Sequence, residues 1–370
     1  MLTEQEKIRY HRQMILPNVG KTGQRQLKKA RVLCVGAGGL GSPLLLYLAA
    51  AGVGTLGIVD HDVVDVSNLH RQILYGMQDV GSTKANIAKK NLVNINPHIE
   101  ILTYEEKLHQ HNALNILQSY DIIADCTDNF TSRYLINDAC FHLKKPNVAA
   151  SIYQFEGQLS IFTTDKGPCY RCLYPEPPPL NLIPSCAEAG VFGVLPGLMG
   201  TLQANEILKW ILQIGEMLVG RLLTVDALNL TFREYDIQKN HQCVLCYHAQ
   251  SFHQLNYQTG NLCMADVKEI SLEEMENLRQ DGVDFTLLDV REPQEFAANN
   301  MGGQLIPIGD LPKRLDELEK DKLTIVHCKS GGRSKRAVAF LMSEGFTDVR
   351  NLTGGMTAWQ KAQENQNNAG

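Results

Sequence analysis

Arg31-Val32-Leu33-Cys34-Val35-Gly36-Ala37-Gly38-Gly39-Leu40-Gly41 is the stretch that decides the fold. Val32 to Val35 is an unbroken apolar run, which fits a strand buried on both faces; a half-exposed strand would alternate. The GxGxxG run of Gly36, Gly38 and Gly41, with Gly39 between, then turns the chain into an apolar helix expected over Pro43 to Ala51. Such glycines allow the tight turn and let backbone N–H groups approach a phosphate at the positive end of the helix. A second strand, Thr55 to Asp60, ends on an acidic group placed to meet a ribose hydroxyl.

Working outward, a helix over about Thr83 to Asn94 and a strand over Asp121 to Asp125 continue the alternation. That pattern predicts a Rossmann-like, doubly wound parallel α/β sheet. From about Val148 the extended pieces shorten, a proline-rich loop runs from Pro175 to Pro184, and a long helix is expected over about Leu198 to Ile214. Ala249 to Ala265 is polar and aperiodic and reads as a linker. A smaller α/β pattern then restarts. It comprises helix Leu272–Gln280, strand Phe285–Val290, helix Leu311–Glu319, strand Leu323–Cys328 and helix Ser334–Glu344. Two domains are expected, residues 1–248 and 266–370, joined by residues 249–265.

Composition narrows the function classes. The chain has 370 residues, 44% of them hydrophobic, and a net charge of −5. This argues against a broad basic surface for nucleic acid or acidic membrane. The most apolar stretch, Ala189 to Leu202, is interrupted by Pro196 and is too short to span a bilayer, which takes roughly 20 residues. With Met1 to Lys7 charged and lacking an apolar core, a soluble cytoplasmic protein is expected. In that compartment ten cysteines point to metal binding or catalysis more than to disulfides.

The glycine loop alone also admits a nicotinamide-dependent oxidoreductase. The residues beyond the second strand favour a triphosphate. Asp60, Asp62, Asn68, Arg71 and Gln72 crowd one segment, Lys84 sits at a helix start and Asp128 comes just after the next strand. Arg71 and Lys84 would neutralise phosphates, and Asp128 would hold Mg²⁺.

These residues, with Arg12, resemble the MoeB/ThiF (HesA/MoeB/ThiF) family, bacterial relatives of the ubiquitin-activating enzymes. The resemblance covers residues 1 to about 248. It implies ATP-dependent adenylation of the C-terminal glycine of a ubiquitin-like sulfur carrier protein ending in Gly-Gly. It also implies that Asp60 binds ribose, that Asn68, Arg71, Gln72 and Lys84 contact phosphates and that Asp128 binds Mg²⁺. Arg12 would reach the neighbouring protomer's site in a homodimer.

The cysteines sort by context. Cys169, Cys172, Cys243 and Cys246 form two CxxC pairs, a donor set that would close a tetrahedral structural Zn²⁺ site, and the MoeB-like pattern has zinc in this layout. Cys186 lies outside any pair; the resemblance implies covalent chemistry there, with Ser185 where the family usually has Thr. Cys328 ends an apolar strand and enters Lys329-Ser330-Gly331-Gly332-Arg333 before a helix, a setting that stabilises a thiolate. Four residues separate Cys328 from Arg333, one fewer than a phosphate-hydrolysing Cys-x5-Arg loop, so the loop suits sulfur. With Asp289-Val290-Arg291-Glu292 and Leu352 to Trp359, it resembles the rhodanese family over roughly residues 266 to 362. Asn299 to Gly303 replaces that family's usual His-containing segment. Cys34, Cys126 and Cys140 are expected to pack, Cys263 falls in the linker, and His109 and His111 are expected to be solvated.

The whole chain thus resembles bifunctional molybdopterin-synthase adenylyltransferase/sulfurtransferases. The implied sequence is acyl-adenylate formation, attack by a Cys328 persulfide, and release of a thiocarboxylate by Cys186 or an external reductant. A cysteine desulfurase or a small molecule would supply the sulfur. The alternatives are a ThiF relative that adenylates a non-protein substrate and a binding protein whose two sites are vestigial.

Overall fold

The computed structural model describes residues 1–176, 190–248, 250–255 and 267–368. They fall into two compact units, one on each side of residues 256–266.

The first unit is built on an eight-stranded sheet. Its strands are β1 (Arg31–Val35), β2 (Thr55–Val59), β3 (Glu100–Tyr104), β4 (Ile122–Asp125), β5 (Asn147–Tyr153), β6 (Glu156–Phe162), β7 (Arg221–Asp226) and β8 (Thr231–Asp236). Their order is β3-β2-β1-β4-β5-β6-β7-β8. The first five are parallel and the last three extend the sheet antiparallel. Chain direction across the sheet reverses between β1 and β4, so a crevice opens beyond their carboxyl ends, where ligands of such sheets bind. Val35, the last residue of β1, stands in register with Val59 on one side and Asp125 on the other.

The glycines that make this crevice are required by contact. Gly36 has φ +93°, and a Cβ on Gly41 would lie 2.1 Å from the Gly36 carbonyl oxygen. The loop therefore closes directly into helix Gly41–Ala51. Against that helix packs Val194–Leu212, which starts before the expected Leu198 because Pro196 is tolerated in a first turn that lacks N–H partners anyway. Close approach is set by Gly200, whose added Cβ would meet the Leu40 carbonyl at 2.2 Å. On the opposite sheet face, helix Phe130–Leu143 covers Leu33, Val35 and Ile123.

Part of the expected linker belongs to this unit. Phe252 and Leu255 are buried in the same cluster as Leu117 and Ala113, and Gln110 Nε2 donates to the carbonyls of both, at 3.0 and 3.3 Å.

The second unit carries β9 (Lys268–Ile270), β10 (Thr286–Asp289), β11 (Gln304–Leu305), β12 (Thr324–His327) and β13 (Val349–Leu352), ordered β11-β10-β12-β13-β9 and all parallel. A capping box of Ser271 and Glu274 starts helix Leu272–Gln280 where the sequence places it. The helix expected over Leu311–Glu319 does not form. Two short 3₁₀ turns, Leu311–Lys313 and Leu315–Glu317, take its place, and Pro312 has no N–H to donate. Among the described residues no helix is long and apolar enough to cross a membrane.

Candidate functional site

The crevice of the first unit is lined by Gly36, Gly38, Gly39, Asp60, Asp62, Arg71, Gln72, Lys84 and Asp128. Residues from three strand ends and two loops therefore face one opening. Asp60 is held by backbone: it accepts from the N–H groups of Ala37 at 2.7 Å and Asp62 at 2.9 Å. Burial nonetheless pushes its carboxyl above the ordinary value, because the desolvated anion outweighs those bonds. Lys84 is almost fully buried and its ammonium reaches the Asp62 carboxylate at 2.9 Å. Arg71 donates to the carbonyl of Ser67 at 3.0 Å. Gln72 is buried against the crevice wall and its Oε1 has no partner. The exposed carboxylate of Asp128 accepts a 3.5 Å contact from Asn129 Nδ2, so a hard oxygen donor stands open to a cation.

Three residues of the expected set do not line the crevice. Gly41 shapes it from behind. Asn68 closes the 3₁₀ turn Val66–Asn68, accepting at its carbonyl from the N–H groups of Arg71 and Gln72, each at 3.0 Å. Arg12 lies in helix His11–Met14, beside Lys7, Ile8 and His11.

Cys169, Cys172, Cys243 and Cys246 converge. Their Sγ atoms are 3.5 Å apart for Cys169–Cys243 and Cys172–Cys246, and 3.9 Å for Cys169–Cys172. Disulfide sulfurs would be about 2.05 Å apart. Four sulfurs at about 2.3 Å from a central ion sit about 3.8 Å from one another, so the cluster has the dimensions of a closed tetrahedral thiolate site. Hydrogen bonds among the four sulfurs lower Cys172 and Cys243 and raise Cys169 and Cys246, so the thiols share protons as one cluster. Four sulfur donors at these spacings fit a soft, doubly charged ion.

In the second unit Cys328 comes directly after β12, the central strand, and is buried at its end. Its Sγ accepts from the Gly331 N–H at 3.2 Å and lies 3.4 Å from Ser334 Oγ. Gly331 has φ +103°, which turns that amide inward before helix Gly332–Ser343. The loop is clasped from the far side: Met356 N–H donates to the Cys328 carbonyl at 2.9 Å, and a Cβ on Gly355 would meet that carbonyl at 2.2 Å. Below it, Arg291 grips Asp289 through two prongs and donates to the Asn299 carbonyl at 2.8 Å. The Asn299–Gly303 departure therefore still delivers β11 into the sheet, with Gln304 in register with Leu288.

Residues 10–245 match the ThiF family. The chain belongs to that family. Residues 271–362 match the rhodanese-like domain. The chain is 43% identical over 372 residues to the probable adenylyltransferase/sulfurtransferase MoeZ of Mycobacterium tuberculosis, covering 98% of this chain and 95% of that protein. It is 53% identical over 249 residues to the sulfur carrier protein adenylyltransferase of Thermus thermophilus, covering 66% and 92%. It is 40% identical to the adenylyltransferase and sulfurtransferase MOCS3 of Arabidopsis thaliana, covering 97% and 84%. The crystal structure of E. coli MccB with ATP superposes with a TM-score of 0.57 at 21% identity, covering 64% of this chain and 74% of that one, which shows a shared fold.

Membership of the ThiF family sets aside the nicotinamide-dependent oxidoreductase that the glycine loop alone admits. The crevice also holds residues that the sequence motifs do not single out. Arg133, on the first turn of helix Phe130–Leu143, lines it, with Nη2 donating to the Thr127 carbonyl at 2.9 Å and Nε buried without a partner. Glu106, Lys107 and Leu108 form another wall. The signal for Arg133 is Asn129, an N-cap that accepts from the Ser132 N–H at 2.9 Å and so marks a helix start facing the site. Cys34, Cys126 and Cys140 are buried and pack, while His109 and His111 are exposed, as expected. Cys186 and Cys263 lie outside the described residues.

Proposed function

We propose that this chain uses ATP to adenylate the C-terminal glycine of a ubiquitin-like sulfur carrier protein and then converts that glycine to a thiocarboxylate. The observation that carries the reading is the crevice. Its glycine loop, cations and open carboxylate face one space, and a second unit of the same chain holds a cysteine whose sulfur accepts from the Gly331 amide and lies beside the Ser334 hydroxyl.

A carboxylate is a poor acyl donor, and adenylation gives it a leaving group. A carboxylate oxygen of the carrier attacks the α-phosphorus of ATP, and pyrophosphate departs. Asp60 would hold the ribose. Loop amides at Gly38 and Gly39, together with Arg71, Lys84 and the side-chain amide nitrogen of Gln72, would hold the phosphates and offset charge that builds in the transition state, while Asn68 would act by holding the turn that carries Arg71 and Gln72. Asp128 would bind Mg²⁺, which supplies further neutralisation of the triphosphate. Arg12 would complete the site of a neighbouring protomer in a homodimer. The four clustered thiolates would hold Zn²⁺ with no open position, so that metal would be structural.

The Cys328 persulfide then attacks the acyl carbon and AMP leaves, forming an acyl disulfide. Cys186 thiolate attacks the Cys328 sulfur of that disulfide, and the thiocarboxylate departs as the two cysteines join. A reductant resets them.

The test is to incubate the protein with ATP, Mg²⁺, carriers ending in Gly-Gly and a sulfur donor, and to weigh the carriers. The expected product has sulfur in place of one oxygen, and omission of the donor should leave an adenylated carrier. If no carrier gains AMP or sulfur, the reading fails.

A further inference from the structure

The charges beside Cys328 are arranged in an unexpected way. Arg333 closes the cysteine loop, where a free guanidinium would draw in an oxyanion. Each of its terminal nitrogens already donates to one and the same carboxylate, which offsets its charge. Nη1 donates to Glu295 Oε2 at 2.6 Å and Nη2 to Glu295 Oε1 at 2.8 Å, a fork-on-fork pair. Glu295 is not a mobile partner. It sits in helix Pro293–Ala298, its own carboxylate caps the Glu292 N–H at 3.1 Å, and its carbonyl accepts from the buried Arg291 at 3.3 Å. Arg291 is in turn fixed by Asp289. Glu292 adds a second negative charge next to this pair. Along the loop, Lys335 is matched by Glu269 at 2.9 Å, and Lys329 is exposed. Arg333 and Lys329 against Glu292 and Glu295 sum to zero.

Resting on the sulfur-transfer reading above, we propose that Glu295 is a specificity-determining residue of the Cys328 site. By occupying both prongs of Arg333 it denies a docking cation to dianionic oxo-sulfur donors such as thiosulfate, and it leaves persulfides as the fitting donors. The chemistry is the same for both. With thiosulfate, the Cys328 thiolate bonds to the sulfane sulfur, the S–S bond breaks and sulfite leaves with the electron pair. With a persulfide, the outer sulfur is bonded and the donor thiolate leaves. The two donors differ in the charge that the loop mouth must accept. Persulfide on free cysteine and persulfide on a protein cysteine share the favoured chemistry.

The experiment measures kcat/KM for thiosulfate, for cysteine persulfide and for a persulfidated protein thiol, using the full-length chain and its Glu295→Gln and Glu295→Gln/Arg333→Met variants. The thiosulfate-to-persulfide ratio within one preparation is the readout, since it cancels any loss of folded enzyme. Glu295→Gln is expected to raise that ratio about tenfold, the size of one charge-assisted hydrogen bond regained, chiefly through a lower KM for thiosulfate. The double variant should return it to the original level. Whichever persulfide source reacts faster identifies the physiological kind and is consistent with the assignment. An unchanged or lower ratio in Glu295→Gln overturns it. Sulfur transfer that survives Cys328→Ala would instead overturn the underlying reading, so the two failures are distinct.

Discussion

Arg171 and Asp138 form a buried two-pronged ion pair, Nε to Oδ1 at 2.9 Å and Nη2 to Oδ2 at 2.7 Å, that joins the cysteine cluster to the helix bordering the nucleotide crevice. Arg171 stands between Cys169 and Cys172, and its guanidinium also lies 4.7 Å from the ring centre of Tyr134 on that helix. The next rung is Tyr170, whose N–H donates to Asn137 Oδ1 at 2.7 Å. The first turn of the same helix carries Arg133 and comes just after Asp128, so the cysteine cluster and the crevice share one helix.

Breaking that pair from one side should be costly. Asp138→Ala leaves a guanidinium buried beside an aromatic cluster, a loss of about 3–5 kcal/mol. Urea unfolding followed by tryptophan fluorescence measures it. A loss under about 1 kcal/mol would place the pair with surface ion pairs and contradict its burial.

The thiolate cluster makes a separate prediction. Loading the chain with Co²⁺ should give the intense visible bands of tetrahedral thiolate coordination, with one ion per chain. Cys243→Ser should abolish them and lower the melting temperature of the metal-loaded chain, because an ion at the cluster would link segments that are far apart in sequence. Retention of the spectrum in that variant would mean that the ion sits elsewhere.

The two chemistries should separate by substitution. Lys84→Ala removes a buried ammonium from the crevice and is expected to lower kcat/KM for ATP–pyrophosphate exchange about 100-fold. It should leave sulfur transfer from a small donor to Cys328 unchanged. Cys328→Ala should do the reverse. Loss of both activities in either variant would contradict two independent sites on one chain.

Sequence makes the centre of each unit legible and leaves its margins obscure. The runs ending at Val35 and His327 are apolar because both faces are covered, and this same burial places Asp60 and Cys328 at strand ends. Helix Phe130–Leu143 shows no 3.6-residue period because Tyr134 to Cys140 is buried without a break, so its N-cap, Asn129, is the one local mark of the helix start that carries Arg133. Phe252 and Leu255 read as linker since two apolar residues in a polar stretch carry no periodicity; only tertiary packing shows that they anchor. The Arg333–Glu295 fork joins residues far apart in sequence and has no local signal at all.

His327 gives the pH dependence of the second unit. It is fully buried directly before Cys328, its ring nitrogens have no hydrogen-bond partner, and Nε2 stops 3.7 Å from Asp289, whose carboxylate is already engaged by Arg291. Burial lowers its pKa to about 4, with Asp289 opposing and Arg291 reinforcing the shift. Between the ordinary value near 6.5 and 4 the unfolded chain binds the proton and the folded chain does not, so folding loses stability as pH falls through that window. Below about 4 this group adds no further slope, and the full loss is at most about 3 kcal/mol. His327→Phe keeps an aromatic ring in the core and removes the proton. Chemical denaturation at pH 7 and at pH 4.5 should show the variant losing less stability than the parent chain over that interval. Equal losses would mean that His327 takes up its proton in the folded state.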